Sequence, residues 1–278
     1  MSDLLVAGVD IGSTTAKAVI INNGEVISGR IISTETDPSS AGKKVLDMAL
    51  NDSHYLVSEL KYTIATGYGR VSASFADKAV TEITCHGRGA YFISPEIRTV
   101  IDIGGQDAKV VSLGEDGKAI DFVINDKCAS GTGRFLEFAS QLVLHVPLEE
   151  MGKLSSLSTK ALKLSSTCTV FIQTEIISLL AAGENKEDII AGLHSAIAKK
   201  VSGMAKRVGV RPVVMMSGGV AKNCGVIEAL KAELDTDITT PAAIDPQLVG
   251  ALGAALMAEE IAKANGGLKT ERAGERRD

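Results

Sequence analysis

Two stretches decide the fold: "DIGSTTAKAVI" at Asp10–Ile20 and "DIGGQDAKVVS" at Asp102–Ser112. They are identical at six of eleven positions and lie 92 residues apart. Each follows an apolar run, "LLVAGV" before the first and "IRTVI" before the second. Each continues into a second β-branched run, followed by "NNG" at Asn22–Gly24 in one case and "EDG" at Glu115–Gly117 in the other. Those turn residues tolerate positive φ and suit hairpins. Strand, glycine turn, strand, written twice, predicts an α/β chain built from two copies of one hairpin-based unit.

Working outward, strand-like runs cover Leu4–Asp10, Ala16–Asn22, Val26–Ser33, Tyr62–Thr66, Thr99–Ile103, Lys109–Gly114, Ile120–Asn125 and Pro212–Ser217. Helical periodicity covers Ala41–Asn51, Glu82–Phe92, Arg134–Leu144, Val170–Ala182, Asp188–Val208, Gly225–Leu234 and Val249–Ala264. The expected division is residues 1–95 with 248–265 as one domain and 96–247 as the other. The tail over 266–278, ending "TERAGERRD", is charged and aperiodic, which predicts disorder.

The chain has 278 residues, 45% of them hydrophobic, and a net charge of −5. That charge argues against a nucleic-acid partner. No apolar run approaches the roughly 20 residues a membrane span needs. "LLVAGV" is too short for a signal peptide, so a soluble cytoplasmic protein is expected. Of the four cysteines, Cys85, Cys128, Cys168 and Cys224, none forms a CxxC pair, which argues against a zinc ribbon or a thioredoxin-type site. His54, His86, His145 and His194 are scattered and read as structural or surface residues.

In each repeat the glycine lets the backbone approach an oxygen-rich ligand closely. Ser13, Thr14 and Thr15 in one turn, and Gly105 and Gln106 in the other, offer donors to phosphate. Lys17 and Lys109 supply positive charge. Asp10 and Asp102 would repel phosphate unless Mg²⁺ or its waters lie between. A single such turn is an ordinary hairpin; two matched copies point to a phosphate ligand. A third motif, "VVMMSGGVAKN" at Val213–Asn223, reads as a buried strand, a glycine turn and a helix start, suited to lying flat on a base or ribose. Neither GxxxxGK[ST] nor GxGxxG occurs, so a P-loop and a dinucleotide site are excluded.

Together the three motifs resemble the actin, sugar kinase and heat-shock ATPase superfamily. The resemblance implies two similar actin-like, ribonuclease H-like domains with ATP in a cleft between them, and closure coupled to hydrolysis. It implies a first phosphate turn of Gly12, Ser13, Thr14, Thr15, Ala16 and Lys17. A second is implied at Gly104, Gly105 and Gln106, with Asp102 and Gln106 at the reacting water or metal. Gly218 and Gly219 would contact adenosine, and Gln247 in "DPQLVGALGAAL" would lie near the nucleotide.

"NDKCASGTGRFL", "SSTCTVF" and "ATGYGR" narrow the match. With the glycine motifs they closely resemble the ATP-dependent activators of 2-hydroxyacyl-CoA dehydratases, a family that includes the ATPase subunits of benzoyl-CoA reductases. The resemblance runs from Leu5 to Ala262. It implies a homodimer sharing one [4Fe-4S] cluster, with Cys128 and Cys168 as each subunit's ligands. It also implies a ferredoxin or flavodoxin as electron donor and an iron-sulfur dehydratase or reductase as partner. The chemistry is compatible: a cubane takes four thiolates, and two copies of a chain with two suitable cysteines supply them. Both cysteines precede helical patterns, where the positive helix end favours thiolate. Gly131, Thr132 and Gly133 follow Cys128 closely enough to link phosphate and cluster. Cys85 and Cys224 read as plain thiols. The alternative is a small-molecule kinase of the same superfamily, with Asp102 as base and no cluster.

Overall fold

Both glycine turns open a five-stranded mixed sheet. The computed structural model describes residues 4–160, 162–164 and 168–266. The expected tail beyond Gly266 lies outside the described residues. The chain divides into a unit of Met1–Ser94 joined by the segment from Gln247 onward, and a unit of Pro95–Pro246.

The first unit begins with β1 (Leu5–Ile11), β2 (Thr15–Asn22) and β3 (Glu25–Ser33), an antiparallel meander. Asn23 and Gly24 make the two-residue link between β2 and β3, with φ of 50° and 88°. Positive φ at both positions matches the twist of the strands they join. Helix α1 (Pro38–Asp52) starts where the Asp37 carboxylate accepts the N–H groups of Ser39 and Ser40, with Pro38 at the first helical position. Next come β4 (Tyr62–Thr66), parallel to β1, the two-residue β5 (Lys78–Ala79), and α2 (Glu82–Ile93), capped by Thr81. The sheet order is β3-β2-β1-β4-β5.

The second unit repeats this plan with β6 (Thr99–Ile103), β7 (Ala108–Leu113) and β8 (Ala119–Asn125) as the meander. Between its third and fourth strands, where the first unit has α1, the described residues hold four α-helices. These are α3 (Gly133–Glu137), α4 (Met151–Ser155), α5 (Thr169–Ala181) and α6 (Lys186–Val208). Then follow β9 (Val214–Ser217), parallel to β6, α7 (Cys224–Leu234) and β10 (Ile238–Thr239). The order β10-β9-β6-β7-β8 is the first unit's order, strand for strand. This two-domain α/β plan is the one the superfamily resemblance implies.

The last helix, α8 (Val249–Ala264), belongs to the first unit and lies flat on β1 and α2. A Cβ on Gly8 would fall 2.1 Å from the Ala251 carbonyl oxygen, and one on Gly253 only 1.8 Å from that of Cys85. No other residue permits this approach. Each unit has its own apolar core: Val9, Ile20, Val45 and Leu50 in the first, and Ile101, Val110, Phe135 and Ile197 in the second.

The structure departs from the sequence reading in several elements. The helix expected over Arg134–Leu144 is α3 followed by a π-helical stretch, Phe138–Leu144, which ends at His145 in the left-handed region. Strand β9 begins at Val214, not Pro212. Proline has no N–H to give a ladder, and the Val213 carbonyl already accepts from Arg98 and Thr99. The two-residue strands β5 and β10 are too short to leave a pattern. No helix among the described residues is long and apolar enough to cross a membrane.

Candidate functional site

The two turns match in detail. In the first, the Gly12 N–H donates to the Thr15 carbonyl at 3.0 Å; in the second, Gly104 donates to Asp107 at 2.9 Å. Asp10 sits opposite Lys17 on β2, and Asp102 opposite Lys109 on β7. Each lysine reaches back to its aspartate, at 3.3 Å for Lys17 and 3.2 Å for Lys109. Lys109 also meets Asp107 at 2.8 Å. So both cations neutralise carboxylates buried at the strand ends. The second pair is the deeper one, with Lys109 and Asp102 side chains 4% and 5% exposed.

The repeat extends beyond the two quoted stretches. On the parallel side Asp10 registers with Thr66 of β4, and Asp102 with Ser217 of β9. Glycine follows each: Gly67 at φ 83°, ψ −174°, and Gly218 at φ 81°, ψ 178°. That region is essentially reserved for glycine. A Cβ at Gly67 would lie 2.3 Å from Asp10 Oδ1, and one at Gly218 would lie 2.9 Å from Asp102 Oδ1. Each carboxylate is therefore walled by a glycine. "ATGYGR" is the first unit's counterpart of "SGGVAKN", an equivalence the sequence reading missed. The signal was there: an apolar strand ending in a small hydroxyl residue and then glycine.

The turns suit a phosphate ligand. Ser13, Thr14 and Thr15 are half-buried around Gly12, and the Thr14 hydroxyl is buried without a hydrogen-bond partner. Gln106 is exposed, and Gly105 half-buried beside it. Mg²⁺ needs only one or two carboxylates beside phosphate and water oxygens, which Asp10 or Asp102 can offer. Ala16 is buried on β2, Gly218 is held by donating to the Pro246 carbonyl at 3.0 Å, and Gly219 and Gln247 are half-buried.

Cys128 and Cys168 are reached by different local structures. Cys168 directly precedes α5, and its carbonyl accepts from Phe171 and Ile172 at 3.1 and 2.9 Å. Cys128 lies five residues before α3, in a turn rather than at a helix start. The Asn125 amide holds that turn through the Cys128 and Ser130 carbonyls, at 2.9 and 3.0 Å. Gly131 takes φ 83°, and the Thr132 hydroxyl closes on the Ala129 carbonyl at 2.6 Å. The first N–H groups of α3 are then spent on the second glycine turn: Gly133 donates to Gly104 at 2.9 Å and Arg134 to Gly105 at 2.8 Å. Cys128 is exposed and Cys168 half-buried. Among the described residues no three His, Cys, Asp or Glu side chains gather as a metal site. One chain thus offers two accessible thiols, half the set a cubane takes. Cys85 is different: burial pushes its thiol up to about 12, so it stays protonated.

Against known proteins, the model of the BadF/BadG/BcrA/BcrD ATPase family matches residues 7–258. The chain belongs to this family. It is 46% identical over 260 residues to the 2-hydroxyisocaproyl-CoA dehydratase activator of Clostridioides difficile, covering 92% of this chain and 95% of that one. It is 45% identical to the (R)-2-hydroxyglutaryl-CoA dehydratase activating ATPase of Acidaminococcus fermentans, covering 90% and 95%. The solved structure of the activator of the 2-hydroxyisocaproyl-CoA dehydratase from Clostridium difficile, with bound ADPNP, superposes with a TM-score of 0.89. That match has 44% identity and covers 95% of this chain and 97% of that one.

Proposed function

We propose that this family member is an ATPase that acts as a one-electron activator of a 2-hydroxyacyl-CoA dehydratase or a related iron-sulfur enzyme of the benzoyl-CoA reductase type. One observation carries the reading. The second phosphate turn and the Cys128 turn are joined by two backbone hydrogen bonds, Gly133 to Gly104 and Arg134 to Gly105.

On this reading Thr14, Lys17, Gly104, Gly105 and Gln106 grip the phosphates, with Asp10 or Asp102 toward Mg²⁺. Asp102 and Gln106 orient the attacking water, and Gly131 and Thr132 border the phosphates from the cysteine side. Gly218, Gly219 and Gln247 hold the nucleoside. Cys128 and Cys168 of two copies would supply the four thiolates that hold a [4Fe-4S] cluster, which would provide one-electron chemistry. A homodimer is supported by exposed apolar side chains near Cys168: Val170 and Phe171 just after it, and Ile177 two turns further along the same face of α5 as Val170. A ligand shifts a conformational balance only through its differential affinity for the two states. The Gly104–Gly133 bond gives the phosphate turn a short route to the cysteine backbone. A ferredoxin or flavodoxin would supply the electron, in the cytoplasm.

The kinase alternative has no comparable support, because a kinase has no use for two accessible thiols and the relatives named above are activators. The test is substitution. Cys128→Ser and Cys168→Ser should each abolish the iron chromophore of anaerobically purified protein while leaving a folded chain that binds ATP. Retention of the chromophore in either variant would sink the assignment.

A further inference from the structure

Asp10 and Asp102 hold the same place in two matching sheets, but their surroundings differ. Asp102 has both oxygens engaged within its sheet: the Ser217 hydroxyl donates to Oδ1 at 2.9 Å, and Lys109 to Oδ2 at 3.2 Å. Asp10 has Lys17 at 3.3 Å on Oδ2. Its parallel-strand neighbour is Thr66, whose hydroxyl lies beside the Cys85 thiol. In the first unit α8 packs over β1 and β4, and α2 packs against α8. That pair places an imidazole in the neighbourhood of the carboxylate.

His86 on α2 is 5% exposed and Asp10 is 6% exposed. The two meet at a glycine. A Cβ on Gly250, near the start of α8, would lie 2.8 Å from His86 Nε2 and 3.2 Å from Asp10 Oδ2. The two polar atoms are therefore no further apart than the sum of those distances. They face one gap that exists only because residue 250 has no side chain. In the protein interior, polar groups this close act on one another electrostatically.

We propose that His86 is a positioning residue for Asp10. Across the Gly250 gap it fixes the carboxylate toward the Mg²⁺–phosphate end of the nucleotide, the part Ser217 plays for Asp102. This rests on the nucleotide reading of the Asp10 turn.

The test is steady-state ATP hydrolysis by the intact, anaerobically purified protein. His86→Leu should lower kcat by about 10- to 100-fold, the usual cost of losing a residue that orients a ligand group. KM for ATP should stay within about threefold. His86→Gln, which keeps a donor, should recover much of the loss. Gly250→Ala should lower kcat with the imidazole intact, because its methyl occupies the gap. In an Asp10→Asn background, His86→Leu should cost nothing further, since both changes act through one carboxylate. Unchanged kcat in His86→Leu, or losses that multiply in the double variant, overturns the proposal. If His86→Leu does not fold, Gly250→Ala and His86→Gln decide on the same criteria. Wild-type protein that hydrolyses no ATP would overturn the nucleotide reading and this inference together; wild-type hydrolysis with indifferent variants would overturn the inference alone.

Discussion

The backbone N–H of Gly133 donates to the carbonyl oxygen of Gly104 at 2.9 Å. One residue belongs to the turn read as phosphate-holding, and the other stands five positions after Cys128. The bond predicts that ATP hydrolysis and electron delivery can be uncoupled. Gly133→Pro deletes the donor and sets its ring against the Gly104 carbonyl, so the link is broken, while the preceding Thr132 is already extended. The variant should keep its iron and bind ATP, yet activate the partner enzyme at least about tenfold more slowly, a loss of about 1.4 kcal/mol of coupling. Parallel assays of ATPase rate and partner activation would check this.

The two aspartate–lysine pairs should differ in strength. Lys109 is 4% exposed and serves both Asp102 and Asp107, whereas Lys17 is 13% exposed and, among the described residues, pairs with Asp10. Removing one partner of a buried pair leaves an uncompensated charge and costs about 3–5 kcal/mol. Lys109→Met should approach that range in urea denaturation, and Lys17→Met should fall clearly below it. Equal losses would contradict the burial argument.

Gly218→Ala should hurt twice. The backbone conformation is closed to other residues at a cost of about 1–3 kcal/mol, and the methyl would press on the Ile103 carbonyl 2.4 Å away. Denaturation with and without ADP should show lower stability and a smaller stabilisation by nucleotide. Gly67→Ala, the counterpart in the first unit, should show a comparable loss of stability.

His194 sets a limit on acid stability. Burial pushes its imidazole down to about 4 from 6.5. Below pH 6.5 the unfolded chain binds a proton that the folded chain refuses. Stability from this group is therefore intact above pH 6.5 and falls as pH drops toward 4, by about 3 kcal/mol over that window. His194→Gln should flatten that part of the stability–pH curve. The Asn223 amide lies 3.1 Å from His194 Nε2, so the same variant reports on the helix cap that Asn223 makes for Gly225 and Val226.

The repeat is legible in the sequence because two turns keep Asp, Gly and Lys at identical spacing, each between apolar, β-branched runs. Thr66–Gly67 and Ser217–Gly218 were harder to equate, since only a hydroxyl and a glycine are shared and the chain between them and the first repeat differs greatly in length. His86 reads as structural or surface in the sequence, because the role proposed for it depends on α8, which joins β1 and α2 from more than 150 positions later. Cys128 was expected at a helix start. The backbone instead uses the first N–H groups of α3 to hold Gly104 and Gly105, a tertiary contact that periodicity cannot carry.

The most direct measurement is iron and acid-labile sulfide in protein purified without oxygen, scored per pair of chains. The account predicts about four of each per two copies, a dimer in solution, and loss of both in Cys128→Ser. A colourless, iron-free monomer that phosphorylates a sugar with ATP would contradict it.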